Sequence, residues 1–377
     1  SFLEIKTGDT SIKGKGSVKG LPNIEETVFD VELSELKSSS QDFNQIQFGE
    51  MLSDVKLPEL LNSLGEISMT ADFKGLLHNF EANAKISTAI GVVDLTGKST
   101  RENPQDNITY QAKINSNQFN IGKFLGVEIL GDGALNVDAK AKVGELKNME
   151  CNLLANLQNF NINGNRYNSI EIEGEMSEGI VNAQCDIFDQ AAIINLNCEM
   201  DLLNNFSTIL RGDLNEVNLQ KMNFFNFPDT TAVISTDIVA RANGFNLDSL
   251  RAFIDFRNAI ISTQSKNYDI DYLNIRTRND SIANILTLNS NIFSLVAEGK
   301  YTIESLVEYI NGFVATYIPD FSLLFPKPTQ THSTQTNIIP FNTNNNINLK
   351  VELKNLDMIT DLFALNMNVA PQTILTA

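Results

Sequence analysis

The sequence predicts an all-β protein built as an elongated antiparallel sheet with short connecting helices. Three observations carry that expectation. Apolar and polar residues alternate with period two over much of the chain, Asn- and Gly-rich turns separate the alternating runs, and helical spacing is confined to short connectors.

The clearest run is Ala134 to Val143. Leu135, Val137, Ala139, Ala141 and Val143 share one face, while Asn136, Asp138, Lys140 and Lys142 share the other, the pattern of a strand buried on one side only. Ile170 and Ile172 alternate with Glu171 and Glu173 in the same way. Ile194, Leu196, Cys198, Met200 and Leu202 alternate with Asn195, Asn197, Glu199 and Asp201. Ile347, Leu349, Val351 and Leu353 alternate with Asn348, Lys350, Glu352 and Lys354. Shorter copies occur at Ala82/Ala84/Ile86, Ile108/Tyr110/Ala112/Ile114 and Ile234/Thr236/Ile238/Ala240.

Thr302 to Tyr317 is the best helix, with Ile303, Leu306, Val307, Ile310, Val314 and Tyr317 on one stripe that should cap an end or side of the sheet. Pro58 to Leu64, Leu247 to Phe253 and Asp357 to Ala364 are shorter helical candidates. The Pro-, Thr-, Gln- and Asn-rich stretch 326–346 reads as a linker between a strand-repeat segment, 1–325, and the start of a further repeat, 347–377. The repeat itself shows where Phe119-Asn120-Ile121-Gly122-Lys123-Phe124 aligns with Val217-Asn218-Leu219-Gln220-Lys221-Met222, and Leu356-Asp357-Met358-Ile359 resembles both. A unit of roughly a hundred residues follows, and such repetition favours growth by adding strands along one axis. About 20 to 25 strands at about 4.8 Å each would span at most on the order of 100 Å.

Charge and composition exclude several functions. Lys and Arg number 28 against 46 Asp and Glu, a net charge of −18 that repels phosphate backbones and argues against nucleic-acid binding. Two histidines, three cysteines and no tryptophan leave few groups for acid/base, nucleophilic or metal catalysis, so no enzyme activity, cofactor or metal is expected. His78 and His332 each lack a histidine neighbour and read as structural. Cys185 and Cys198 flank a hairpin turn at Asp189-Gln190 that would set Cys185 opposite about residue 194, so free thiols are favoured over a disulfide. Gly14-Lys15-Gly16 and Gly131-Asp132-Gly133 read as turns rather than phosphate loops, and Asp269-Ile270-Asp271 as a solvated face. No apolar run is long enough to span a bilayer. With Ser1 first and Ala377 last, the chain reads as an excised segment whose anchor would lie outside it.

The one-sided strands leave two architectures open. Two sheets could close on a dry core about 10 Å thick, or one long sheet could curl into an apolar trough, and both demand the same alternation.

A resemblance favours the trough. Leu60 to Thr96, with Ala71-Asp72-Phe73-Lys74-Gly75 and Thr88-Ala89-Ile90-Gly91-Val92-Val93-Asp94-Leu95, resembles a stretch of TamB-like envelope proteins of the AsmA superfamily. Phe119 to Leu125 is similar to their strand-corner segment and Arg166 to Gly174 to their Tyr-x-Asn-Ile strand. Leu286 to Tyr301, ending at Tyr317-Ile318-Pro319, is similar to a strand pair that precedes a helix. The matches are in family order. They imply the central segment of a periplasmic, inner-membrane-anchored protein reaching toward the outer membrane. In such a protein the strands form a taco-like apolar groove that carries phospholipid between the membranes. An alternative role is a scaffold for assembly of an outer-membrane barrel protein by β-augmentation. The groove lining would then comprise the inward strand positions Leu135 to Val143, Ile170, Ile172, Ile194 to Leu202 and Ile347 to Leu353.

Overall fold

The computed structural model describes residues 2–39, 42, 63–103, 105–223, 229–244, 250–279, 283–302, 305–307, 309–310, 312–313, 347–355, 357–362, 370 and 372–376. The chain divides into two compact units, Ser1–Gly179 and Ile180–Ala377. Both are all-β and antiparallel.

The first unit is a meander of β1 (Phe2–Thr7), β2 (Thr10–Lys19), β3 (Val28–Ser39), β4 (Glu66–Leu76), β5 (Asn79–Thr88), β6 (Gly91–Thr100), β7 (Thr109–Asn120), β8 (Asp132–Lys142), β9 (Glu150–Ile162) and β10 (Asn165–Ser177). Each strand pairs with the next. Among the described residues β1 pairs with β2 alone, so the meander is not closed into a barrel.

Register turns the period-two pattern into rows that cross the sheet. Leu33, Ala71, Ala84, Leu95, Ile114, Val137, Ala155 and Ile172 are successive partners from β3 to β10. The next row begins at Val31 and Phe73 and continues through Ala82, Gly97, Ala112 and Ala139 to Leu153. The opposite face carries cross-strand ion pairs between direct partners: Lys15 to Glu32 at 2.8 Å, Lys113 to Asp138 at 3.0 Å, and Lys98 to Glu81 at 3.6 Å. Each exposed pair is worth only about 0.2–1 kcal/mol. Their role is in register, because a slip of one residue would carry a whole row of charges to the apolar face.

β7 bulges between Ser116 and Phe119 against β8 and then enters the one-turn helix α1 (Ile121–Leu125). The Asn120 side chain caps α1 by accepting the Lys123 N–H at 2.7 Å, and Gly126 closes it in the left-handed conformation. Phe124 packs edge-on against Phe119, with ring centroids 5.8 Å apart.

The second unit contains β11 (Ile180–Asp189), β12 (Ala192–Asp201), β13 (Ser207–Asn218), β14 (Val233–Asn243), β15 (Arg251–Ser262), β16 (Asn267–Ile270), β17 (Leu273–Asn279), β18 (Asn284–Ser290), β19 (Phe293–Gly299), β20 (Ile347–Leu353) and β21 (Thr373–Thr376). β16 and β17 share one side of β15 as an interrupted strand; the rest form a meander. The one-turn helix α2 (Leu219–Met222) repeats the corner of α1: a bulge between Leu214 and Val217, an Asn218 cap on the Lys221 N–H at 2.9 Å, and left-handed Asn223. The repeat seen in sequence is therefore a repeat of geometry.

Several expectations change. Arg251 to Phe253, expected in a helix, lie in β15, where Ala252 shares a face with Ile254 and the backbone pairs with β14 and β17. The expected helix at Asp357 is α3 (Asp357–Leu362). Residues 305–307, 309–310 and 312–313 are helical, as expected within Thr302 to Tyr317. Val307, placed on its apolar stripe, is instead 51% exposed, and Phe313 takes the buried position. Ile303, Val314, Tyr317, the 326–346 linker and most of Pro58 to Leu64 lie outside the described residues. The units divide after Gly179, and β20, beyond that linker, pairs with β19 inside the second unit.

Candidate functional site

Each unit presents one apolar and one polar face. On β8, Leu135, Val137, Ala139 and Ala141 share the apolar face; Leu135 is buried and the other three are half-buried. Val143 falls beyond the end of β8 and is 42% exposed, its N–H bonded to the Ile108 carbonyl at 3.0 Å. Ile170 is buried and Ile172 half-buried on the same face of β10. Burial is graded along the strands. Leu157, Phe160 and Ile170 are buried toward the α1 corner, whereas Phe80, Ala112, Cys151 and Met176, toward the other strand ends, are only half-buried.

That less-buried region holds an aromatic stripe that sequence reading did not single out. Phe29 meets Phe73 edge-on at 6.2 Å, Phe73 meets Phe80 at 4.7 Å, and Phe80 meets Tyr110 at 6.5 Å. The four rings come from β3, β4, β5 and β7, so only the register assembles them.

In the second unit Ile194, Leu196, Cys198 and Met200 occupy the apolar face of β12 and are half-buried; Leu202 lies in the following turn. Cys185 faces Leu196 and Ala183 faces Cys198, because the hairpin turns at Gln190-Ala191, one residue later than the sequence suggests. The two cysteines are thus diagonal neighbours, and both are free. Burial pushes both thiols above their ordinary range, with the Asp186 charge adding to the effect at Cys185.

Ile347, Leu349, Val351 and Leu353 share a face of β20 as expected, but they line no open surface. All four are buried in a core with Leu295, Ala297, Leu306 and Phe313. A second core, around Ala259, Ile261 and Ile270, is covered by Leu219 and Met222 of α2 and by Met358, Ile359 and Leu362 of α3. The apolar face is therefore covered at β19–β20 and at the corner helices, and half-buried over β11 to β13.

The polar face carries a concavity of about 760 Å³ in the first unit, beside the bulges of β6 and β7, lined in part by Lys85, Asp94, Lys123, Asp132 and Arg166. Gln118 Nε2 donates to Asp132 at 2.8 Å, and Arg166 Nη2 lies 3.1 Å from both Asp132 oxygens. These contacts, Gln118 first and then Arg166, hold the Asp132 carboxyl below the usual carboxylate range. A depressed pKa stabilises the fold above the unfolded-state value of about 4, and that contribution disappears as pH falls through the folded value. Asp132→Asn should thus cost about 1 kcal/mol at pH 7, allowing for the partial exposure of Arg166, and progressively less as the pH is lowered from 7 through the acid range. Thermal melts of both proteins across that range check this.

Among the described residues no group of three or more His, Cys, Asp or Glu is placed to hold a metal ion, and no helix is long and apolar enough to cross a membrane. In each unit the elements define an all-β, unclosed antiparallel arrangement in which a polar face backs an apolar one. No protein-family model, curated protein or solved structure matches the chain.

Proposed function

We propose that this chain is a non-catalytic track for phospholipid acyl chains, part of a periplasmic bridge between inner and outer membrane. The observation that carries the reading is the set of registered apolar rows, continuous over β3 to β10 and half-buried where the aromatic stripe lies. Each CH₂ kept from water is worth about 0.8 kcal/mol, so a chain sliding from row to row avoids the penalty it would meet in solution. Small residues such as Ala82, Gly97, Ala112 and Ala139 leave room beside the rings for a flexible chain. Headgroups would stay in water, which suits a protein of net charge −18 that offers anionic headgroups little attraction. The sequence resemblance to TamB-like proteins supports the same role and setting.

The test is substitution on the apolar face. Val137→Glu and Leu196→Glu should each deplete bound phospholipid while the protein stays folded. Unchanged lipid in both variants would contradict the track and favour a scaffold that works through its strand edges.

A further inference from the structure

In the second unit the apolar rows run into protein. One row passes from Leu210 through Ala240, Ile254, Ile275 and Leu288, all half-buried, to Leu295 and Val351, both buried. The neighbouring row ends on Ala297, 0% exposed, and Leu349, 2% exposed. The change occurs where the helical residues 305–307, 309–310 and 312–313 are seated. Leu306 and Phe313, two helical turns apart and 1% and 3% exposed, fill the space over β19 and β20, while Val307 faces solvent.

Polar contacts fix this segment in place. Tyr301 Oη donates to the Ala297 carbonyl at 3.3 Å, and Tyr309 Oη to the Ile347 carbonyl at 3.4 Å, so a hydroxyl grips each strand. At the start of the helical turns Thr302 and Ser305 cap one another: the Ser305 N–H donates to Thr302 Oγ1 at 3.2 Å and the Thr302 N–H to Ser305 Oγ at 3.0 Å.

We infer that Leu306 and Phe313 form a built-in stop on the second unit's apolar track, occupying over β19–β20 the place that an acyl chain takes over the open strands. The inference rests on the acyl-chain reading and adds a boundary to it. A lipid entering over β12 to β15 reaches the stop and must leave the face there or return.

Photolabelling of the wild-type chain tests this. Phosphatidylethanolamine with a diazirine-bearing acyl chain is bound and irradiated, and adducts are mapped by peptide mass spectrometry. Adducts are expected on β12 to β15 and at least about tenfold fewer on β19 and β20, a difference of about 1.4 kcal/mol in occupancy. In Leu306→Ser/Phe313→Ser, labelling of β19–β20 should rise toward that of β12 to β15. Equal labelling of the two regions in the wild type overturns the stop while leaving the track standing. Adducts on neither region overturn the track and the stop together. The milder Leu306→Ala replaces the double variant if that one does not fold, and the wild-type map decides the matter alone.

Discussion

Val137→Glu is expected to lower bound phospholipid by at least about tenfold, equivalent to about 1.4 kcal/mol of lost affinity. Val137 sits between Ile114 and Ala155 in an unbroken apolar row, with Leu95 and Ile172 beyond them. A carboxylate there either draws water onto the row or must be neutralised, and both penalise the CH₂ groups passing over it. Because Val137 is half-buried, the new side chain can reach solvent, and the fold should survive. Asn136→Glu supplies the control. Asn136 is exposed on the other face, where its side chain donates to Asn115 Oδ1, so this change adds the same charge without touching the rows. Lipid loss with Val137→Glu but not with Asn136→Glu, read by phosphorus assay of purified protein, isolates the face. Equal loss in both would point to net charge instead.

The second large effect concerns the corner. A Cβ at Gly122 would lie 1.6 Å from the Leu130 carbonyl oxygen and 2.8 Å from that of Val127. Both obstacles are backbone, so nothing flexible can yield. Gly122→Ala must open the turn from α1 to β8, disturbing the Val127 N–H bond to the Gly122 carbonyl at 2.9 Å and the seat of Phe124 on Phe119. A cost of about 3 kcal/mol is expected, at the upper end of overpacking effects. The aligned position in α2 is Gln220, which already carries a side chain, so Gln220→Ala adds no atom to that corner and should cost less than Gly122→Ala. Hydrogen exchange reads the contrast locally, with protection falling around 116–135 in Gly122→Ala and persisting at the α2 corner in Gln220→Ala.

The sequence revealed strands better than what covers them. β8 was legible almost to its ends because Asn136, Asp138, Lys140 and Lys142 mark the wet face without interruption. The β11–β12 register was misplaced because the turn at Gln190-Ala191 carries no Gly, Asn or Pro to announce it. The helix expected over Leu247 to Phe253 misleads at Arg251 to Phe253 for a related reason: a window of seven residues is too short to separate a period of two from one of 3.6. The apolar face of β20 shows the deeper limit. Ile347, Leu349, Val351 and Leu353 alternate with polar residues in the same way whether they face an acyl chain or Leu306 and Phe313. Period two records that a face is sheltered and says nothing of the shelter. The aromatic stripe was hidden because Phe29, Phe73, Phe80 and Tyr110 meet through pairings between strands, which no single stretch of sequence encodes.

The most direct test of the acyl-chain track is native mass spectrometry, with lipid extraction, of the wild-type chain purified from a Gram-negative host. The track predicts phospholipid retained on the protein and released when the chain is unfolded. A chain that flies lipid-free, and stays so after incubation with phospholipid vesicles, would contradict it.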